Sequence, residues 1–163
     1  MFGSSDDIEN RANQYSTARG MGLELRLGFG KDGYVFSTSL RTAVKCHERR
    51  DSFEKELLCF KRLQAHGVDL ICGHHVPRLL DSDNELMVIE MTIVTAPYLL
   101  DFAGAHLDNA PEFSPEVMEQ WRLEKIEQFG DHWPDVENVL DLMKSRFGTH
   151  LLDVHPGNIA FGE

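Results

Sequence analysis

Asp153-Val154-His155-Pro156-Gly157-Asn158 sets a carboxylate and an amide five positions apart across a Pro-Gly turn, a spacing that can aim both side chains at one point. A carboxylate that accepts a hydroxyl proton and an amide oxygen that ligates a hard cation are what phosphoryl transfer asks of such a loop. An Asp and an Asn that merely cap a turn are the plainer reading. Far upstream, Leu27-Gly28-Phe29-Gly30-Lys31-Asp32-Gly33-Tyr34-Val35 is a GxGxxGxV segment. Gly28, Gly30 and Gly33 lack Cβ atoms, so a backbone built from them can lie close over phosphate oxygens. Thr42-Ala43-Val44-Lys45 then ends an apolar run in a lysine able to reach α- and β-phosphates. The segment after it carries Glu54 and Glu56, either of which could hold Lys45 by an ion pair. Glu56 is the better candidate, because Phe60 and Leu63 lie four and seven residues beyond it on the face that packs inward. Glu54 sits about 200° around the same helix.

These groups need elements to position them. Leu23, Leu25 and Leu27 alternate, the glycine turn follows, and Tyr34-Val35-Phe36-Ser37-Thr38-Ser39 is aromatic and β-branched, which predicts a β-hairpin. That context argues against a dinucleotide-binding turn, which would need a helix to open at the third glycine. The segment 51–67 has Phe53, Leu57, Phe60 and Leu63 at helical spacing, with Asp51 or Ser52 as candidate cap and Gly67 as stop. A second hairpin spans 76–94 around the turn-forming Asp81-Ser82-Asp83-Asn84. Residues 95–113 contain Pro97, Gly104 and Pro111 and read as a connector with a short helix near Leu99 to Ala105. Two helices are expected around 115–129 and 135–147, started at Ser114 and Pro134 and ended at Gly148. The tail reads as a loop with a short terminal strand. Residues 1–22 are polar with little to bury, which suggests a frayed arm or a short surface helix.

Composition restricts the partners. The chain has 163 residues, enough for one ordinary core, and a formal net charge of −11. Such a field repels nucleic acid and anionic lipid, so a bound nucleotide must be held by a local set of donors. Cys46, Cys59 and Cys72 are odd in number and widely spaced, which suits reduced thiols rather than zinc. Adjacent His74 and His75 would point apart on a strand, which argues against a metal site with Asp81 and Asp83. No run approaches the roughly 20 apolar residues of a membrane span, and the first residues lack the pattern of a signal peptide. A cytoplasmic protein without membrane contact is expected.

Glycine loop, strand lysine, helix glutamate and the Asp-x-x-x-x-Asn loop, in that order, resemble the protein-kinase-like superfamily. The loop Leu151-Leu152-Asp153-Val154-His155-Pro156-Gly157-Asn158 looks most like that of aminoglycoside-type phosphotransferases. The resemblance implies an α+β fold with a kinase-like small lobe, an antiparallel sheet plus one helix, over 23–94. A reduced helical large lobe over 95–163 would end in the catalytic loop. It implies ATP and Mg2+ as cofactors, with Asp153, Lys45 and Glu56 catalytic and Asn158 on the metal. It further implies that Leu27, Val35 and Ala43 enclose adenine, that Ile89 is the gatekeeper, and that the backbones of Glu90 and Thr92 bind the adenine edge. The family's second metal carboxylate, the aspartate of Asp-Phe-Gly, should follow Asn158, and only five residues remain there. Three functions stay open: an ATP-dependent phosphotransferase, alone or with a protein partner that completes its large lobe; an inactive pseudokinase or scaffold; and a fragment of a longer kinase.

Overall fold

The computed structural model describes residues 5–30 and 32–162. In chain order these form α1 (Ser5–Ala18), β1 (Leu23–Gly30), β2 (Gly33–Thr38), β3 (Thr42–His47) and α2 (Arg50–Ala65). Short strands β4 (Leu70–Ile71) and β5 (His74–His75) lead to β6 (Leu79–Asp83) and β7 (Val88–Thr92). Next come β8 (Tyr98–Leu99), β9 (His106–Leu107), α3 (Pro115–Phe129), a 3-10 turn, α4 (Trp133–Phe147), β10 (Thr149–His150) and β11 (Ile159–Ala160). The class is the expected one: α+β, an antiparallel sheet ordered β1-β2-β3-β7-β6 with helices on it, followed by a helical part.

Side-chain alternation splits the sheet's two faces. Ala43, Ile89 and Met91 point toward Phe53, Phe60 and Leu63 of α2. Phe36, Val44, Cys46 and Val88 point to the other side, where they meet Ile8, Ala12, Tyr15 and Met21. Residues 5–18 therefore form a 14-residue helix seated on the back of the sheet with a buried stripe, where a frayed arm or a short surface helix with little to bury was expected. Its stripe Ile8, Ala12, Tyr15 has helical spacing, but two of the three are a small residue and a tyrosine, a faint signal among polar neighbours.

Helix starts and stops follow local chemistry. Ser114 Oγ accepts a hydrogen bond from Val117 N with Pro115 in the first turn, and Gly148 closes α4 at φ 61°. At α2 the expectation of a cap at Asp51 or Ser52 is corrected: the N-cap position is Arg49, two residues before Asp51, and no side chain caps the helix. The short helix expected near Leu99 to Ala105 does not form: Leu99 ends a two-residue strand, and 100–105 is loop with a turn at Ala103 and Gly104. Tyr98 and Leu99 pair with Ala160 and Ile159, and a partner about 60 residues away decides the local conformation. No helix of the described residues is long and apolar enough to cross a membrane.

Candidate active site

A cleft of about 530 Å³ opens between the β1–β2 hairpin and the loop around Asp153. Leu27, Gly28, Gly33, Val35 and Ala43 line its upper wall. Gly33 is required there: its φ is +147°, and a Cβ would run into the carbonyl of Cys46 on the paired strand β3. Gly30 pairs with Gly33 and closes the hairpin.

β3 delivers Lys45 to the same face as Ala43. Its Nζ lies 2.8 Å from Glu56 Oε1 and 3.2 Å from Asp101 Oδ1, and both Lys45 and Glu56 are buried. Glu56 is also bonded to His47 Nε2 at 2.7 Å and accepts from the Phe102 backbone N–H at 2.7 Å. Burial disfavours charge on both members of the pair, yet the pairing prevails. Glu56 is pulled down to about 2 by Lys45 and His47, while Lys45 is held above its ordinary value by Glu56 and Asp101. Asp101 moves the other way, raised chiefly by burial against the pull of Lys45.

The lower wall is a loop gripped at both ends. β10, just before it, pairs antiparallel with β9, and β11, just after it, pairs antiparallel with β8. Leu100 N donates to Asn158 O at 2.7 Å and continues the second pairing. Because Asp101 follows immediately, it is laid beside the loop. Within the loop, Asn158 Nδ2 donates to Asp153 O at 3.0 Å and approaches Asp153 Oδ2 at 3.4 Å. His155 takes the Gly157 N–H on Nδ1 at 3.0 Å, leaving Nε2 3.9 Å from Asp153 Oδ1. Oxygens of Asp32, Asp101 and Asp153 lie within 4.8 Å of one another. With the Asn158 amide beside them, this all-oxygen donor set suits a hard cation such as Mg2+ and offers nothing soft to zinc or copper.

The structure thus brings Leu27, Gly28, Gly33, Val35, Ala43, Lys45, Glu56, Thr92, Asp153 and Asn158 to one cleft. It does not bring Ile89 and Glu90 there. Glu90 is paired on both sides, to Val44 and to Asp81, so its backbone is spent within the sheet. Its carboxylate faces α1, accepting from Tyr15 OH and Arg19 Nε at 2.8 Å each. Ile89 is buried opposite Lys45 in the register and does not reach the cleft wall, which Met91, Thr92, Ile93 and Val94 form instead. Thr92 N is already bonded to Arg78 O at 3.0 Å. Ile93 and Val94, which line the cleft, follow Thr92, the last paired residue of β7.

Asp101 was missed. The sequence carries Asp101-Phe102-Ala103-Gly104, an Asp-Phe pair followed closely by glycine, but ahead of the Asp153 loop rather than behind it. A search that assumes the family's chain order passes over it. Pairing of β8 with β11 lays Asp101 beside that loop, so a carboxylate stands near Asp153 although none follows Asn158 at the spacing of an Asp-Phe-Gly aspartate.

No family model and no curated protein matches the chain. Among solved structures it is similar to APH(2'')-IIa in complex with gentamicin, at 14% identity and TM-score 0.45, over 89% of this chain and 41% of that one. The ternary complex of APH(2'')-IIa with streptomycin and ATP matches at 14% identity and TM-score 0.44 over the same shares. The chain spans about 41% of the length of those proteins.

Proposed function

We propose that the chain binds ATP with magnesium in this cleft and transfers the terminal phosphoryl group to a hydroxyl acceptor. The observation that carries the reading is the convergence at Asp101: its carboxylate meets Lys45 on one side and the Asp153 carboxylate on the other. A structural ion pair has no need of that second neighbour. Val35, Ala43 and Met91 offer an apolar slot for an adenine ring, and Ile93 and Val94 follow the last paired residue of β7 as candidates for its polar edge. Lys45, fixed by Glu56, would neutralise α- and β-phosphate oxygens. Asp101 and Asn158 would hold magnesium, which supplies charge neutralisation at the β- and γ-phosphates. Asp153 would accept the acceptor's hydroxyl proton as the acceptor oxygen bonds to γ-phosphorus and the bond to the bridging oxygen breaks, releasing ADP. The inactive alternative drew its force from a lacking second carboxylate; Asp101 is suited to that role, so transfer is the favoured reading.

The test is calorimetry of ATP with and without magnesium on wild type, Lys45→Ala and Asp153→Asn, with ADP formation followed in the same samples. Magnesium-dependent binding weakened by Lys45→Ala, and turnover abolished by Asp153→Asn with binding retained, is the expected result. Binding without turnover by wild type would overturn transfer and leave a nucleotide-holding scaffold, and no binding at all would overturn the nucleotide reading.

A further inference from the structure

Asp32 sits at the tip of the glycine turn, where the nucleotide reading expects backbone donors and open space for phosphate. Instead it is 8% exposed and turned inward. Ser52 Oγ, on the first turn of α2, donates to Asp32 Oδ1 at 3.2 Å, and Arg49 steadies that hydroxyl at 3.3 Å. Glu48 N donates to Asp32 O at 3.0 Å, so the Asp32 backbone is held as well. The carboxylate oxygen comes within 4.8 Å of those of both Asp101 and Asp153, across the cleft. Two oxygens about 4 Å apart can bracket one magnesium ion at its usual bond lengths. A phosphoryl group with its own oxygens does not fit between them. Meanwhile the Lys45 ammonium is engaged by Glu56 and Asp101. Asp32 therefore fills, with an anionic oxygen, the place where an anionic phosphate would have to sit.

We propose that Asp32 is a built-in phosphate surrogate: it occupies the phosphate seat of the empty cleft, and a nucleotide must displace it, so that this side chain sets nucleotide affinity. The inference rests on the nucleotide reading above. It separates phosphate-bearing ligands from phosphate-free ones, because adenosine can enter the apolar slot without moving Asp32. A general loosening of the glycine turn would act on both.

The experiment is calorimetry of ADP with magnesium, and of adenosine alone, on wild type, Asp32→Ala and Asp32→Asn, with thermal melting to verify that all three are folded. Asp32→Asn preserves the shape and the bond from Ser52 while removing the charge. The expected result is ADP binding about tenfold tighter in both variants, with adenosine unchanged within twofold. Equal ADP affinity in wild type and variants overturns the inference while leaving the nucleotide reading standing. Weaker ADP binding overturns it too, and identifies Asp32 as a metal ligand rather than a competitor. Tightening of adenosine and ADP alike overturns it in favour of loop loosening, and binding of neither ligand by any of the three proteins sinks the nucleotide reading along with it.

Discussion

At the scale of single residues, the buried pair Lys45 and Glu56 bears on stability, and through the proposed nucleotide site on function. Removing one partner strands a buried charge, a loss worth about 3–5 kcal/mol, whereas removing both can be nearly neutral. Lys45→Met should therefore unfold in urea with a stability lower by about that amount, and adding Glu56→Gln should recover a substantial part of it. A double variant no more stable than Lys45→Met would show that the pair is not coupled in this way. Gly33 tests the hairpin. Gly33→Ala combines a φ reserved for glycine with a collision at the Cys46 carbonyl, so a loss above about 2 kcal/mol is expected by denaturant titration, against a small effect at the open Gly28. The pair was legible in the sequence because helical spacing distinguishes Glu56 from Glu54, and the exposed Glu54, near Arg50, bears this out. Asp101 was not legible, since only the pairing of two strands far apart in sequence brings it to the cleft.

At the scale of elements, α1 is joined to the sheet by polar anchors as well as apolar contacts. Arg11 donates to Leu86 O at 2.6 Å and to His47 O at 3.0 Å, while Tyr15 and Arg19 converge on Glu90. Burial would raise Glu90, but the donors from Arg19 and Tyr15 outweigh it and the carboxyl lies below its ordinary value. The sign follows: with the folded-state value depressed, stability is fully present above the unfolded value, about 4.3, and is lost as pH falls through the folded one. Between pH 5 and 3, wild type should lose more stability than Glu90→Gln, as chemical denaturation at each pH would reveal. Parallel losses would remove the argument. The sequence could not show this contact, because Glu90 was read as part of the cleft edge. Its parity on β7, opposite to that of Ile89 and Met91, was the available clue, since it turns the side chain toward the back of the sheet.

At the scale of the whole molecule, the order of segments around the cleft matters more than their number. β8, Asp101 and β9 come before α3 and α4 in the chain, and the loop of Asp153 comes after them, yet the two stretches pair as neighbours. The helical hairpin of α3 and α4 thus lies between two halves of one site. A single apolar core joins them: Phe53 and Phe60 of α2, Leu99, Phe102, Val136 and Met143 belong to one cluster with Ile159. Phe102 is fully buried, its ring edge-on to Phe60 at 5.2 Å, and it directly follows Asp101. Two consequences are expected of so continuous a core. Unfolding should be one transition, with far-ultraviolet dichroism, which reports both parts, coinciding with the fluorescence of Trp121 and Trp133, which reports α3 and α4. Phe102→Ala should lower the midpoint of both signals together, by a loss of about 3–5 kcal/mol. Separation of the two signals in wild type would mean that the sheet and the helices fold as independent units. The pairing of β8 with β11 would then be a weak docking, and Asp101 would be held at the cleft only as firmly as that contact allows.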